Sequence, residues 1–386
     1  MTDELDLSLL YEPITIRNMT LRNRFVMPAM QRCWSENGQP VAFLADYYRK
    51  RAAGGTSLII TESCAVDHPS ATQVPYYSWI SDATAQGWQR CAEAVRSEGA
   101  HFFVQLWHEG SIRTVGGDGP LSHHPTLSPS GLVDADRVNG RAATLDELDE
   151  IKDAFVRGAK IAQQIGASGV EVHACHGYFL DLFLWKDTNR RTDGYGGDEL
   201  ADRLRYPAEI VRAIRAAVGD DFVVSFRFSQ WKEVDYQAQV VENPAELEQL
   251  VRTIEDAGAD MLHVSVRRFW LPEWPELDPQ LGLAGWTKKF ATVPVVAVGS
   301  VGLDVDVMDN MLGHEAKQTG LASFVELERR FKAGEFDLMS VGRGQIGDPD
   351  WVTKVRDGDI FGIRQFTRED LMRDIEVPDL VTDAHR

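Results

Sequence analysis

The sequence predicts an α/β protein built as one (β/α)8 TIM barrel, and three observations predict it. Eight short apolar runs alternate with longer amphipathic stretches. No GxGxxG fingerprint follows the first run, which disfavours the main competitor, a doubly wound open sheet. Polar residues gather just past the runs, at the rim where a barrel keeps its chemistry. A chain of 386 residues is long for one domain, but barrels often exceed ~250 residues as a single unit. We therefore expect one domain over residues 1–386, with a barrel core over about 10–358 and a C-terminal tail over 359–386.

The strands are expected in the runs 24–29, 57–61, 102–106, 169–173, 222–228, 261–265, 293–298 and 336–341. Most are continuously apolar, as strands buried on both faces of a parallel sheet are. Helices fit between them. One runs from Val41 to Ala53 and stops at Gly54–Gly55. Asp82 is a candidate N-cap for the next, through Trp88 to about Ser97. Thr144 with Glu147 forms a capping box that opens a long helix to Ile165. Asn243, Pro244 and Glu246 open another, with proline in the first helical position. Two connections are long: 110–141 after the third strand, and 302–334 after the seventh, helical in its later half. Long loops after barrel strands belong to the catalytic face or extend a helix.

Composition narrows the function classes. Hydrophobic residues make up 44% and charged residues 26%, as in ordinary globular proteins. A net charge of −19 argues against nucleic acid and against an anionic membrane surface. Cys33, Cys64, Cys91 and Cys175 lack metal-ligand spacing and suggest reduced thiols. The N-terminal stretch has no signal-peptide pattern, and no stretch reaches the ~18 apolar residues of a membrane span. A cytoplasmic protein acting on a small molecule is expected.

The polar residues at the strand ends suggest the chemistry. The third strand ends in Gln105, Trp107 and His108, and the fourth in His173, followed by His176 and Tyr178. Two imidazoles three residues apart suit a pair of donors gripping one developing oxyanion. The competing readings are two structural histidines, or a metal with Glu171 as third ligand; no metal is expected. Tyr178, with an ordinary pKa of ~10, suits proton donation to a carbanion, or simple packing. Arg227 on the fifth strand needs an anionic partner, either an internal carboxylate or a reduced flavin. Gln105 offers both a donor and an acceptor. Gly299–Ser300 and Gly342–Arg343 follow the last two strands, the usual barrel phosphate site.

These residues stand in segments that resemble the Old Yellow Enzyme family of FMN-dependent ene-reductases. The segments are LRNRFVMPAM (21–30), YYRKRAAGG (47–55), IITES (59–63), FVQLWHEG (103–110), GVEVHACHGYFLDLFL (169–184), NRRTDGYGG (189–197), SFRFS (225–229), VPVVAVGS (293–300) and SVGRG (340–344). The resemblance implies FMN as cofactor, with NADPH or NADH as reductant visiting the substrate's own pocket. It implies that His173 and His176 bind a substrate carbonyl and that Tyr178 protonates the α-carbon. Gln105 and Arg227 would bind the pyrimidine side of the flavin, and Gly299, Ser300, Gly342 and Arg343 its phosphate. Ala29, Met30 and Ser63 fall where contacts to the ring are expected, and Trp107 should wall the pocket. Tyr76, Tyr77, Phe269 and Trp270 are candidates for setting the substrate.

One position departs from the family. Thr or Cys often stands near the flavin after the first strand, and Gln31 stands here. The resemblance implies a possible homodimer. The chain ends soon after the barrel and lacks clustered cysteines, so the iron–sulfur architecture of larger relatives is not expected. The main reading is reduction of an activated C=C bond. An FMN-dependent dehydrogenase or oxidative demethylase, and a flavin-binding sensor without turnover, are the alternatives.

Overall fold

Eight parallel strands close into a barrel in the computed structural model, which describes residues 5–113, 116 and 121–371. In chain order they are β1 (Phe25–Met27), β2 (Leu58–Val66), β3 (His101–Trp107), β4 (Gly169–His176), β5 (Val223–Lys232), β6 (Met261–Ser265), β7 (Val295–Val298) and β8 (Leu338–Ser340). Each pairs with its neighbour in sequence, and β8 closes the ring on β1 through Ser340 opposite Val26. The helices between them are α1 (Ala42–Ala53), α2 (Ala85–Ser97), α3 (Leu145–Gln164), α4 (Leu200–Val218), α5 (Pro244–Asp256), α6 (Leu283–Phe290), α7 (Ala322–Lys332) and α8 (Trp351–Arg356). None of the described helices is long and apolar enough to cross a membrane.

The continuous apolar runs follow from burial on both strand faces. Outward residues such as Phe102, Val104, Val172 and Val264 pack in one cluster with helix residues such as Trp88, Phe155 and Leu250. Inward residues form a second cluster: Val26, Leu58, Ile60, Phe103, Val223, Met261, Val296 and Leu338. An antiparallel hairpin, Ile14–Ile16 with Met19–Leu21, adds Ile16, Met19 and Leu21 to this cluster and plugs the bottom of the barrel. The barrel thus has a dry floor, and polar chemistry is confined to the layers above it.

The caps at Thr144 and Asn243 form as the sequence predicts. Thr144 accepts from the Glu147 N–H while Glu147 returns a bond to the Thr144 N–H. Asn243 accepts from the N–H groups of Ala245 and Glu246, with Pro244 in the first turn. Asp82 is not the cap of α2. A turn over 81–84, in which Ser81 N–H donates to Thr84 Oγ1 and Thr84 Oγ1 to the Trp79 carbonyl, delays the helix to Ala85. The connection after β7 is helical late, at α7, as expected, with a short helix Val307–Met311 before it. Part of the connection after β3, at 114, 115 and 117–120, and the tail beyond 371 lie outside the described residues.

Four strands outrun their expected ends. β2 continues through Ser63 to Val66, β3 to Trp107, β4 to His176, and β5 through Trp231 to Lys232, and these extensions carry site residues. Thr144→Ala should remove the α3 cap and cost about 1 kcal/mol. Urea denaturation would read this as a lower midpoint at unchanged slope.

Candidate active site

Register across the sheet places the polar residues in layers. Ser63 lies beside Gln105, Gln105 beside Glu171, and Glu171 beside Ser225. His173 lies beside Arg227, and Arg227 beside His263. Side chains two apart on a strand share a face, so Glu171 and His173 both point into the barrel.

The lower layer is a closed hydrogen-bond network. Ser63 Oγ donates to Gln105 Oε1 at 2.7 Å, and Gln105 Nε2 donates to Glu171 Oε1 at 2.8 Å. Glu171 Oε2 lies 2.7 Å from His263 Nδ1 and 3.2 Å from Ser225 Oγ. Burial alone would raise the Glu171 carboxyl, but His263, Arg227 and the Gln105 hydrogen bond hold it below the usual carboxylate range. Burial keeps His263 below its usual range, so we read it as neutral and donating from Nδ1. Glu171 is therefore an ionised carboxylate inside the barrel. Both ends of the Gln105 amide are engaged with protein, which its sequence position did not reveal.

The upper layer holds Arg227, His173, His176 and Tyr178. Arg227 Nη2 donates to Ser265 Oγ at 3.2 Å, while its buried Nε has no partner. Glu171 supplies long-range charge compensation to Arg227 rather than an ion pair. Ser265 Oγ also lies 2.8 Å from His176 Nε2, so one hydroxyl bridges imidazole and guanidinium. The His173 and His176 rings are 5.5 Å apart, and the His173 and Tyr178 rings 5.2 Å. Burial pushes both imidazoles down, with Arg227 as the next cause, His173 to about 3. Both are neutral near pH 7, and a neutral imidazole offers one N–H donor. His173, Cys175 and His176 have ligand atoms within 4.8 Å of one another, but burial holds the Cys175 thiol well up.

The turn that aims these groups is unusual. Pairing between β4 and β5 shifts register between Ala174 and His176, and His176 has φ 64° and Gly177 φ 89°. A bulge followed by two left-handed residues redirects a strand end, a device found beside active sites. Two buried groups hold the turn. Asp181 accepts from the Gly177 N–H at 2.6 Å and pairs with Lys232 at 2.7 Å, both side chains being fully buried. On the other side, Phe179 N–H donates to the His108 carbonyl, and Gly110 lets its loop approach: a Cβ there would meet Phe179 Cα at 2.8 Å. His108, with Nε2 2.9 Å from Ser70 Oγ, is a structural anchor.

Aromatic residues line one side. Trp107 packs edge-on against Tyr77 at 5.7 Å and against Tyr178 at 5.3 Å, and Tyr76 follows Tyr77. Trp231 lies over His176 at 4.5 Å. Phe269 and Trp270 are not part of this aromatic chain. They pack on each other after β6, where Phe269 N–H donates to the Gly299 carbonyl.

The end at Gly299 is richer in cations than the sequence suggested. Arg343 donates to Ser300 Oγ and to the Val305 and Asp306 carbonyls, and burial pulls it down to about 10. Ser300 adopts φ 55° and donates to the Arg267 carbonyl at 2.9 Å. Arg267 pairs with Asp306 at 2.6 Å and Arg268 with Asp309 at 3.1 Å. Met30 packs on Gly342, where an added Cβ would meet its Sδ at 3.0 Å. Ala29 is half-buried beside it, and Gln31 Nε2 is buried without a partner. The residues missed from sequence as site-builders are Trp231, Ser265, Arg267 and Arg268; Glu171 was weighed there only as a metal ligand. Their positions at strand ends were the available signal. Lys232→Met, which leaves Asp181 buried and unpaired, should cost ~3–5 kcal/mol in denaturant unfolding.

The chain matches the family described as NADH:flavin oxidoreductase / NADH oxidase over residues 9–359. It is 34% identical over 354 residues to an NADH oxidase of Thermoanaerobacter brockii, covering 89% of this chain and 50% of that protein. It is 35% identical over 218 residues to a putative 12-oxophytodienoate reductase 2 of Oryza sativa subsp. japonica, covering 54% and 56%. The chain thus spans about half the length of these curated relatives. A morphinone reductase variant solved in complex with tetrahydroNAD superposes with TM-score 0.74 at 25% identity, over 90% of each chain. The Old Yellow Enzyme from Pichia sp. superposes with TM-score 0.75 at 23% identity, over 94% of this chain and 90% of that one, a likeness of fold. This chain belongs to the NADH:flavin oxidoreductase / NADH oxidase family, the family of the Old Yellow Enzymes.

Proposed function

We propose that the protein is an FMN-dependent NAD(P)H oxidoreductase that reduces the activated C=C bond of α,β-unsaturated carbonyl compounds. The observation that carries the reading is the convergence of His173, His176 and Tyr178 on one space above Arg227.

The chain's residues fit FMN. Arg227 brings a buried cation with an unpartnered Nε, and Gln31 a buried amide nitrogen without a partner. Arg343 is a largely buried cation whose bonded acceptors are a hydroxyl and two carbonyls, with Gly342 at its side; that is a donor set for a phosphate. Arg227, Gln31, Ala29, Met30 and Ser63 would hold the ring, and Gly299, Ser300, Gly342 and Arg343 the phosphate. When bound, FMN supplies a hydride to the β-carbon, having taken it from reduced nicotinamide.

The protein's own share is orientation and proton handling. His173 and His176, neutral and fixed by packing and by Ser265, donate to the substrate carbonyl oxygen, where negative charge grows. Arg227 above the Glu171 network keeps that region positive in potential. Tyr178 gives its proton to the α-carbon, and burial well above the ordinary range keeps that hydroxyl protonated until it is needed. Trp107, Tyr77 and Trp231 exclude water and bound the substrate's shape.

Two measurements test this. Titration of the yellow holoenzyme with a phenol should produce a long-wavelength charge-transfer band, since a phenolate oxygen would take the carbonyl's place between the histidines. No band, with flavin bound, contradicts the oxyanion site. Tyr178→Phe should slow anaerobic reduction of cyclohexenone by roughly 10²-fold or more while sparing flavin reduction by NADPH or NADH. Equal loss in both half-reactions contradicts the proton-donor role.

A further inference from the structure

Tyr178 does not stand alone. Its hydroxyl lies 3.3 Å from both carboxyl oxygens of Glu233, a residue 55 positions further along the chain. Glu233 follows the last residue of β5, and its N–H donates to the His176 carbonyl at 3.1 Å, which ties it to the turn that carries Tyr178. The buried Lys232–Asp181 pair fixes the residue before it and the same turn. Glu233 is half-buried, so its carboxyl reaches from Tyr178 to solvent.

We propose that Glu233 positions the Tyr178 hydroxyl and returns the proton that Tyr178 gives to substrate. The inference rests on the reading of Tyr178 as proton donor. As Tyr178 protonates the α-carbon, its Oη–H bond breaks and a Cα–H bond forms, and in the same step the Glu233 carboxylic acid gives its O–H proton to Tyr178 Oη. The carboxylate then takes a proton from water. No electrons move in this relay. A phenolate is poorly tolerated there, because burial and the neighbouring carboxyl both raise the Tyr178 pKa. Burial also pushes the Glu233 carboxyl up to about 7, so it holds a proton that an exposed glutamate would have lost.

The titratable groups around the pair are His173, whose ring lies 5.2 Å from that of Tyr178, Tyr77, which senses Glu233, and Glu109 on the loop after β3. Lys232 with Asp181 lies one residue away, and His176 meets the Glu233 backbone. Glu109 is also pushed up to about 7 by burial, so it must be separated from Glu233 by experiment.

The test is single-turnover alkene reduction by pre-reduced holoenzyme from about pH 5 to about pH 9, for the wild type, Glu233→Gln, Glu233→Asp, Glu109→Gln and Tyr178→Phe. The wild-type rate should fall as pH rises through about 7, where the Glu233 proton is lost. Glu233→Gln should be slower by about 10-fold or more and lose that inflection. Glu233→Asp and Glu109→Gln should keep one. A second readout needs no turnover. The Glu233 value is raised in the folded state, so its stabilising contribution is complete below the ordinary carboxyl range and is lost as pH climbs through about 7. The melting temperature of Glu233→Gln relative to wild type should therefore rise between pH ~5 and pH ~8. A Glu233→Gln enzyme with the wild-type pH profile, or loss of the inflection in Glu109→Gln instead, overturns the relay. A Tyr178→Phe enzyme with wild-type alkene reduction overturns the underlying function; slow Tyr178→Phe with wild-type-like Glu233→Gln overturns the relay alone.

Discussion

An ionised carboxylate inside the barrel organises everything above it. Glu171 is fully buried, yet it bonds to Gln105 from β3, Ser225 from β5 and His263 from β6. A buried charge is tolerated only when its partners are complete, so these strands are held in one register around it. Its charge also compensates Arg227 without a direct ion pair, and Arg227 Nε has no hydrogen-bond partner among the described residues. The layer marks the boundary between a dry floor, closed by the N-terminal hairpin, and a polar chamber.

Above that boundary, geometry is set by the end of β4. The bulge at Cys175 and the left-handed pair His176–Gly177 swing His176 and Tyr178 over Arg227. Left alone, such a turn would be strained; Asp181, Lys232 and the close approach at Gly110 over-determine it. The same turn reaches β5 through the Glu233 backbone. The residues proposed for substrate binding, proton donation and proton supply thus share one rigid support, which is what preorganised electrostatics needs. The end proposed for the phosphate is built by a different set of strands, from β6 to β8, where Arg267 and Arg268 join Arg343 behind a screen of aspartates.

Much of this was legible in the sequence. Strand positions followed from apolar runs, and the caps at Thr144 and Asn243 from their local chemistry, because both signals act over a few residues. Asp82 failed as a cap because a turn bound to Trp79 displaced the helix start. Phe269 and Trp270, expected in the substrate wall, follow β6, where the Phe269 N–H bonds to the Gly299 carbonyl. Gln105, expected at the pyrimidine side of the flavin, bonds through its amide to Ser63 and Glu171. The Asp82 error came from a choice between neighbours that only packing could make.

The sequence by itself determined the barrel, the rim on which chemistry collects, and the identity of the imidazoles, the phenol and the two arginines at that rim. Periodicity and short motifs encode these directly, since they depend on residues adjacent in the chain. Tertiary structure alone decided who meets whom. Ser265 reaches His176 across 89 positions, Glu233 reaches Tyr178 across 55, and Glu171 reaches His263 across 92. Such pairings depend on strand register, the bulge at Cys175 and the twist of the closed sheet, which no local pattern records.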